Sequence, residues 1–531
     1  MLSTEHKTGS IQIAGSELRY LDSAFILLSF VFLYLHLFLL PNTPIYYEHD
    51  HVALLNDARR MLNGEIIYRD FFEFTFPGSH VLYVTFLYIF GAKYWIANFL
   101  ILMHGIGAVV ICLLISRRVI GANFHSYLPA AIYLFFGFRW FGIDGEHRFF
   151  SQLFAYLAVL LLLTRRTYAR IAFAGIACAA SSFFTQHRGV LACAAIGLFF
   201  LIKLAVKEKN WALFLKSSLV LSVSFLVTIF AVLLPFVILA GADVFYTDTL
   251  LFISNYVQEP NFNRFGTYVL SFHKINSFGY LVTAVTLFYY ALIPLIYIVI
   301  FVFLWINRKN SGIENKDSIL LVCLVGAFFA LGTAFAPSPE RLFQIAIPAL
   351  ILLAWLINRI PFMSESLIKG AIILLVVFGL MLGVRIQVGW DVKTLSTPSG
   401  EIAFLSKVIY ERYAWLSEHA NAGDLVYEAY NSHVNFPLQL DNPSSISVLL
   451  NGEYNPQWQV DQAIDDLKAK KVRYIIWDGA WTAEMNSWGK DEKLRPFYMF
   501  LTKNYELRQK FTPYDDRERE IWEIKNAGFT R

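Results

Sequence analysis

Long apolar runs follow one another through most of the first 387 residues and predict a bundle of membrane-spanning helices. A helix needs about 20 apolar residues to cross the hydrocarbon core of a bilayer. The runs that reach or approach this length are 23–40, 95–116, 127–141, 149–164, 170–185, 189–206, 214–241, 280–306, 318–335, 341–357 and 367–386. We therefore expect a polytopic, mainly α-helical membrane bundle of about eleven spans.

The distribution of Lys and Arg orients these spans. Short cytoplasmic loops are enriched in basic residues. Alternate loops carry the basic clusters Arg117-Arg118, Arg165-Arg166 with Arg170, Lys203 to Lys209, Arg308-Lys309 with Lys316, and Arg359. This alternation holds only if the short apolar run 79–91 does not cross, so we expect it to lie at the interface. The N-terminus is then inside, and the C-terminal segment is outside.

Three outer segments are long under this topology: 41–93, 243–278 and the tail 388–531. The first is expected to contain amphipathic helices. In the tail, "VDQAIDDLKAKK" has helical spacing of apolar residues, and "VRYIIWDG" is typical of a buried strand. "ELRQKFT" and "EREIWEIK" predict two further strands. We therefore predict a transmembrane domain over 1–387 and a small extracytoplasmic α/β domain over 388–531.

Composition supports a membrane protein and excludes a large soluble enzyme. The 531-residue chain is 57% hydrophobic and 16% charged, whereas soluble domains carry about 25% charged residues. The net charge of +4 gives no indication of nucleic-acid binding. All four cysteines fall inside apolar runs and indicate buried thiols rather than a disulfide framework.

Four ionisable residues, Glu48, His49, Asp50 and His51, stand together just after the first span. An amphipathic helix is predicted to follow over 52–63, which places Asp50 before its first turn. Asp50 is therefore either a helix cap or a chemically active carboxylate. Spacing this dense fits no standard zinc pattern, so no metal or other cofactor is expected, with a divalent cation as the alternative.

The other short outer ends carry further candidate residues on the same face as Asp50. They lie in "FRWFGIDGEHRFF", "TQHRGV" and "APSPER", and the long loop "NYVQEPNFNRFGTY" adds Arg264. The candidates for substrate binding in these three ends are Asp144, Glu146, His147, His187, Arg188 and Arg341. Arginine matches phosphate through paired donors, so these cations indicate a bound phosphate. The alternative is that each arginine only reaches to lipid headgroups.

The order of these elements resembles the GT-C superfamily of membrane glycosyltransferases. An acidic residue after the first span, "ARRML.GE..YRDFF" and a short apolar segment ending in "IFG" carry the resemblance, which covers the first 190 residues. It is strongest to the branch related to protein O-mannosyltransferases and the lipid A aminoarabinose transferase. Departures are His51, where many relatives have an acidic residue, and "FTFPGSH", where many have a Pro-Pro pair.

The resemblance implies transfer of a sugar from a polyprenyl-phosphate carrier to an acceptor outside the cytoplasmic membrane. A single base that acts opposite a phosphate leaving group predicts inversion at the anomeric carbon. Asp50 matches the family's catalytic base, and Asp144 or Glu146 would supply a second acid. Glu48 and His51 are expected to contact substrate. The expected partners are the lipid-linked donor, membrane lipids and a glycan, lipid or protein acceptor, and no nucleic acid.

Three other functions compete with this one. They are a polysaccharide ligase or polymerase of another membrane fold, a flippase or transporter of lipid-linked sugars, and an envelope assembly protein. A transporter would favour ionisable groups near mid-membrane and paired broken helices, which the sequence lacks. The sequence leaves open the sugar, the acceptor, the carrier length and the oligomeric state.

Overall fold

The structure, a computed structural model, describes residues 5–258, 279–308, 314–334, 336–389, 391–450, 454–484, 492–512 and 518–525. Most of these residues are helical. The helices are α1 Glu5–Leu37, α2 Asp50–Leu62, α3 Gly78–Phe90, α4 Trp95–Val119, α5 Leu128–Ala131, α6 Arg139–Phe141, α7 His147–Leu162, α8 Tyr168–Phe184, α9 Gln186–Phe200, α10 Trp211–Ala240, α11 Ala242–Tyr246, α12 Phe252–Gln258, α13 Gly279–Ile306, α14 Lys316–Thr333, α15 Pro339–Gln344, α16 Ala346–Ile357, α17 Glu365–Gly389, α18 Lys407–His419, α19 Gln457–Lys470, α20 Gly479–Glu484 and α21 Arg495–Asn504.

Each of the eleven predicted apolar runs contains helix, and the predicted helical membrane fold is confirmed. Within the described ranges, seven helices are long and apolar enough to cross a membrane. They are Tyr20–Leu37, Trp95–Val119, Gln186–Lys207, Trp211–Ala240, Thr286–Ile306, Lys316–Thr333 and Glu365–Gly389. The chain is thus a multi-pass membrane protein. The total of eleven spans stays a prediction, because the other four runs form shorter helices or, at 127–141, a composite of α- and π-helical turns.

Two small four-stranded sheets are formed, one within the C-terminal part of the chain and one that also includes two strands of the first outer segment. The strands are β1 Phe38–Leu39, β2 Thr43–Tyr46, β3 Lys393–Thr397, β4 Gly400–Phe404, β5 Val426–Glu428, β6 Tyr474–Asp478, β7 Tyr505–Phe511 and β8 Arg519–Ile524. One sheet has the order β5-β6-β8-β7, and its β6, β7 and β8 are the three strands predicted from the sequence. The apolar residues of α19 at the predicted helical spacing, Val460, Ile464 and Leu467, are buried.

The other sheet joins the first outer segment to the C-terminal part. Its order is β1-β2-β4-β3, with β2 parallel to β4 and Ile45 opposite Ala403. The hydroxyl of Tyr413 in α18 also lies 2.6 Å from the Tyr46 hydroxyl. The residues just before Asp50 are therefore held by strand pairing and side-chain contacts to residues more than 350 positions away.

The amphipathic helix α2 does not leave its polar face in water. Arg60 donates to the Ser444 carbonyl and to the Ser447 hydroxyl, both at 3.2 Å, and Arg59 pairs with Asp441 at 3.2 Å. The C-terminal segment around residues 440–447 therefore covers the polar side of α2. These contacts hold the C-terminal part of the chain against the last turn of α2.

Candidate active site

A cavity of about 300 Å³ opens between the first outer segment, the start of α7 and the C-terminal domain. Its acidic side consists of Asp50, Asp57, Glu73 and Glu146. The C-terminal domain contributes the opposite wall through Tyr430, Asn431, Ser447, Val448, Leu450 and Tyr454. The cavity thus combines carboxylates from the membrane domain with aromatic and amide groups from the tail.

A smaller cavity of about 90 Å³ adjoins the first and is basic. Its charged and titratable lining residues are His147, Arg148, His187, Arg188 and Arg341. Three of these, His147, Arg148 and Arg341, also line the larger cavity. The acidic and basic compartments therefore share a wall, and one extended molecule could occupy both.

Asp50 is the first residue of α2 and opens onto the larger cavity. The N-cap residue is therefore His49 rather than Asp50, and His49 forms no side-chain capping bond. The Asp50 carboxylate is exposed to the cavity, but the surrounding fold limits its hydration. The loss of hydration is the main cause that raises the pKa of Asp50 to about 7, and the negative charges of Asp144 and Glu146 add to it.

Asp144 lies beside Asp50 because two contacts fix the short loop before α7. The Asp144 carboxylate accepts from the His51 backbone at 3.3 Å and lies 3.0 Å from His51 Nδ1. A Cβ at Gly145 would come within 2.2 Å of the Tyr83 hydroxyl, so only glycine allows this loop to pack there. Carboxylate oxygens of Asp50, Asp144 and Glu146 lie within 4.8 Å of one another.

Glu146 links the acidic and basic sides. Arg148 and Gln344 both donate to its carboxylate, and Arg188 donates to Gln344 Oε1 at 2.9 Å and to the Arg148 carbonyl at 2.8 Å. Burial opposes ionisation of Glu146, but Arg148, His147 and Gln344 together outweigh it and hold the pKa of Glu146 below its usual range. Glu146 is therefore ionised and paired, whereas Asp50 next to it holds its proton more tightly.

The arginines of the basic cavity differ in their surroundings. Arg188 is buried, and the hydrogen bonds from its guanidinium go to protein groups. Gly189 beside it packs against α8, since a Cβ there would lie 1.9 Å from the Cys178 carbonyl oxygen. Arg341 is half-buried and donates to the Ala336 carbonyl at 3.1 Å. It lines both cavities, which makes it the better placed cation for a ligand.

Glu48 points to the C-terminal domain rather than into either cavity. Its carboxylate lies 3.0 Å from Arg412, 3.2 Å from His433 Nδ1 and 3.8 Å from Arg519. Burial alone would raise its pKa, but Arg412 and then His433 hold the pKa of Glu48 well below its usual range. Glu48 thus ties the chain just before Asp50 to the tail.

The predicted site residues divide into three groups. Asp50, Glu146, His147, His187, Arg188 and Arg341 line the two cavities. Glu48, His51 and Asp144 lie behind the cavity wall and contact its members or the C-terminal domain. Arg264 lies outside the described residues, so its role stays a prediction.

Sequence reasoning missed Asp57, Glu73 and His80, as well as the cavity wall from the tail. Helical spacing alone places Asp57 on the polar face of α2, whereas in the structure it is 5% exposed and lines the cavity. A signal was available, because an acid and a histidine stand in an otherwise apolar stretch, "FEFTFPGSH". The tail residues gave no such signal, since their position depends on tertiary packing.

Three groups of side chains in the described ranges bring possible metal-ligand atoms within 4.8 Å of one another. They are Glu48 with Glu428 and His433, Asp50 with Asp144 and Glu146, and Asp57 with Glu73 and His80. In the first group Arg412 contacts Glu48, and in the second Arg148 contacts Glu146. Protein cations therefore already balance part of the charge in those two groups.

No known family profile matches the sequence, and no curated protein matches it. Solved structures do match. ArnT from Cupriavidus metallidurans, bound to undecaprenyl phosphate, superposes with a TM-score of 0.53 at 11% identity, over 99% of this chain and 100% of ArnT. AglB from Archaeoglobus fulgidus, an oligosaccharyltransferase in complex with an inhibitory peptide and a dolichol-phosphate, gives 0.52 at 10% identity, over 96% of this chain and 75% of AglB. At such identities the likeness concerns the fold, and the GT-C fold that the sequence predicted is confirmed.

Proposed function

We propose that the chain, which has the GT-C fold, is an inverting glycosyltransferase that moves a sugar from a polyprenyl phosphate to an extracytoplasmic acceptor. The observation that carries this proposal is the pair of adjoining cavities. A carboxylate of raised pKa opens onto one, and a group of arginines lines the other. Displacement of a sugar from a phosphate needs both a base and cations for the leaving group.

In the proposed reaction, the acceptor hydroxyl attacks the anomeric carbon of the donor from the acidic cavity. A new glycosidic bond forms, and the bond between that carbon and the phosphate oxygen breaks. Asp50 takes the hydroxyl proton, and the polyprenyl phosphate leaves with the bonding electron pair. Arg341 and Arg148 stabilise the charge that develops on the phosphate. Attack opposite the leaving group inverts the anomeric configuration.

The donor class follows from the fold and from the charge. ArnT is bound to undecaprenyl phosphate, and AglB is in complex with a dolichol-phosphate. Both ligands carry a phosphate on a long isoprenoid chain, which suits a basic cavity beside apolar helices. We place the reaction at the outer face of the cytoplasmic membrane. The alternative of a ligase or polymerase built on another membrane fold is inconsistent with the GT-C fold.

The proposed function can be tested in cells and with purified protein. Deletion of the gene is expected to remove one sugar from an envelope glycan, lipid or protein, detected by mass spectrometry. The parent gene should restore that sugar, and the gene encoding Asp50→Asn should not. Envelope composition that is unchanged by the deletion, with no release of polyprenyl phosphate by the purified protein, would argue against a transferase.

The pH dependence of activity is expected to reflect the ionisation of Asp50. A base accepts a proton only when it is itself deprotonated, so kcat/KM should fall as the pH drops below about 7. Asp144→Asn removes a neighbouring negative charge and should lower the pKa of Asp50, which shifts this acid limb to lower pH. The measurement is a kcat/KM profile, with exposed Asp461→Asn as control. If Asp144→Asn left the acid limb unchanged, the limb would not reflect the ionisation of Asp50.

The orientation of the chain is expected to follow its Lys and Arg distribution. Reporter fusions after Arg118, Arg166 and Arg308 should report the cytoplasm, and a fusion after Gly400 should report the outside. A cytoplasmic signal from the Gly400 fusion would put both cavities on the wrong side for an extracytoplasmic acceptor.

A further inference from the structure

A buried histidine faces two carboxylates within the first outer segment. His80 lies in the first turn of α3, Asp57 in α2, and Glu73 in the segment between these helices. His80 Nε2 is 3.4 Å from Glu73 Oε2 and 3.8 Å from Asp57 Oδ2. The side chains are 0%, 14% and 8% exposed for His80, Glu73 and Asp57. One imidazole and two carboxylates therefore converge in a place that water scarcely reaches.

The hydrogen bonds around this group do not involve the His80 ring. Glu73 Oε1 accepts from the Phe74 and Thr75 backbone amides at 2.8 and 2.7 Å and from the Thr75 hydroxyl at 2.9 Å. These bonds turn Oε2 towards His80. Within the described ranges, the two ring nitrogens of His80 form no hydrogen bond, and Asp57 Oδ1 forms none either.

The separations suit two ligands of one ion better than a hydrogen bond. An N–H···O bond has its heavy atoms about 2.7–3.2 Å apart, shorter than either distance from His80 Nε2. Nitrogen and oxygen ligands lie about 2.0–2.2 Å from a zinc ion, so two ligands at a tetrahedral angle are about 3.3–3.5 Å apart. The His80–Glu73 distance of 3.4 Å falls in that range. The 3.8 Å to Asp57 requires only a small adjustment.

Charge balance distinguishes this group from the other two. Burying two carboxylates without compensation is costly, and a proton on His80 would balance only one of them. Within the described ranges no Arg or Lys side chain pairs with Asp57 or Glu73 within 4 Å, unlike Glu48 and Glu146. A divalent cation bound to neutral His80 would balance both carboxylates.

We propose that Asp57, Glu73 and His80 bind a divalent transition-metal ion of the Zn²⁺ or Mn²⁺ class. The imidazole ligand favours Zn²⁺ over Mg²⁺ or Ca²⁺, and the two carboxylates also suit Mn²⁺. Asp57 and Glu73 also line the larger cavity, so the open coordination position faces the space in which substrate is expected. The ion joins α2, the segment after it and α3, and so braces the loop that begins with Asp50. This site departs from the sequence-based expectation of a metal-free protein and does not depend on the proposed reaction.

The test uses the full-length protein in detergent, with its purification tag removed and its metal stripped by a chelator. Titration with ZnCl₂ and MnCl₂ is expected to show one bound ion per chain by elemental mass spectrometry and a higher Tm. Glu73→Gln and His80→Asn should weaken binding by more than about tenfold, because each removes a ligand. Asp144→Asn, from the other acidic group beside the cavity, is the matched control and should bind like the parent.

Two results would overturn the site. The first is a parent protein that binds neither ion, in which case a proton on His80 serves instead. The second is loss of binding in Asp144→Asn with normal binding in His80→Asn. If a variant fails to fold, X-ray absorption of the zinc-loaded parent decides. We expect one imidazole among oxygen ligands, and a spectrum without imidazole rejects the assignment.

Discussion

Asp50→Asn is expected to lower turnover by about 10²–10⁴-fold, the usual contribution of a general base, and to leave the Tm nearly unchanged. Asparagine keeps the size of the side chain but cannot take the acceptor proton. The carboxylate opens onto the cavity, so the amide of asparagine fits in its place. The measurements are kcat with a polyprenyl-phosphate sugar and thermal unfolding of the same preparation.

The capping interpretation of Asp50 predicts a different pattern. If Asp50 served the helix, Asp50→Ala would destabilise the protein by about 0.5–2 kcal/mol, and Asp50→Asn would keep full activity. Asp243→Asn is a matched control, because Asp243 is an exposed acid in the first turn of α11. It should leave both kcat and Tm unchanged. A fully active Asp50→Asn variant would show that another residue is the catalytic base.

The apolar pattern was enough to predict the helices, because each span is fixed by local composition. It did not predict how the polar residues pair. Asp144 lies 93 positions from His51, and Arg412 lies 364 positions from Glu48. No local periodicity relates such positions, so Glu48 and His51 were expected to contact substrate. The structure places both behind the cavity wall.

The polar face of α2 illustrates the same limit. Helical spacing separates the apolar Leu54, Leu55 and Ala58 from Arg59 and Arg60, although Arg60 is buried as they are. A polar face next to a membrane is usually solvated, so the pattern alone predicts a helix that lies flat on the bilayer with its polar side in water. Its polar side instead packs against the C-terminal domain through hydrogen bonds. Patterning identifies which side is polar, but the partner of that side is set by tertiary structure.

The sequence alone predicts equivalent roles for Arg188 and Arg341 as phosphate ligands, because both are arginines at the same face. The structure separates them, because the guanidinium of Arg188 is buried and bonded to Arg148 and Gln344. Removing it leaves buried acceptors unpaired, so Arg188→Gln is expected to lower the Tm as well as activity. The cleaner probe of the phosphate site is therefore Arg341.

Arg341→Gln is expected to lower kcat/KM for the lipid-linked donor by about 10–150-fold, with a Tm close to that of the parent. This range corresponds to loss of one charge-assisted hydrogen bond to phosphate, about 1.5–3 kcal/mol. Arg341 lines both cavities, so its guanidinium can follow the phosphate as the sugar leaves. Arg341→Lys keeps the charge and should recover part of the loss, although a lysine cannot form the paired bonds.

The matched control for Arg341 is Arg473→Gln, because Arg473 lies on the exposed side of the C-terminal sheet and pairs with Glu523. It should transfer sugar at the parent rate. If Arg341→Gln did the same, the phosphate would be held elsewhere, with Arg148 as the next cation on the shared wall. If the loss instead appeared only when the acceptor was varied, Arg341 would act on the acceptor side. The basic cavity would then bind acceptor rather than donor.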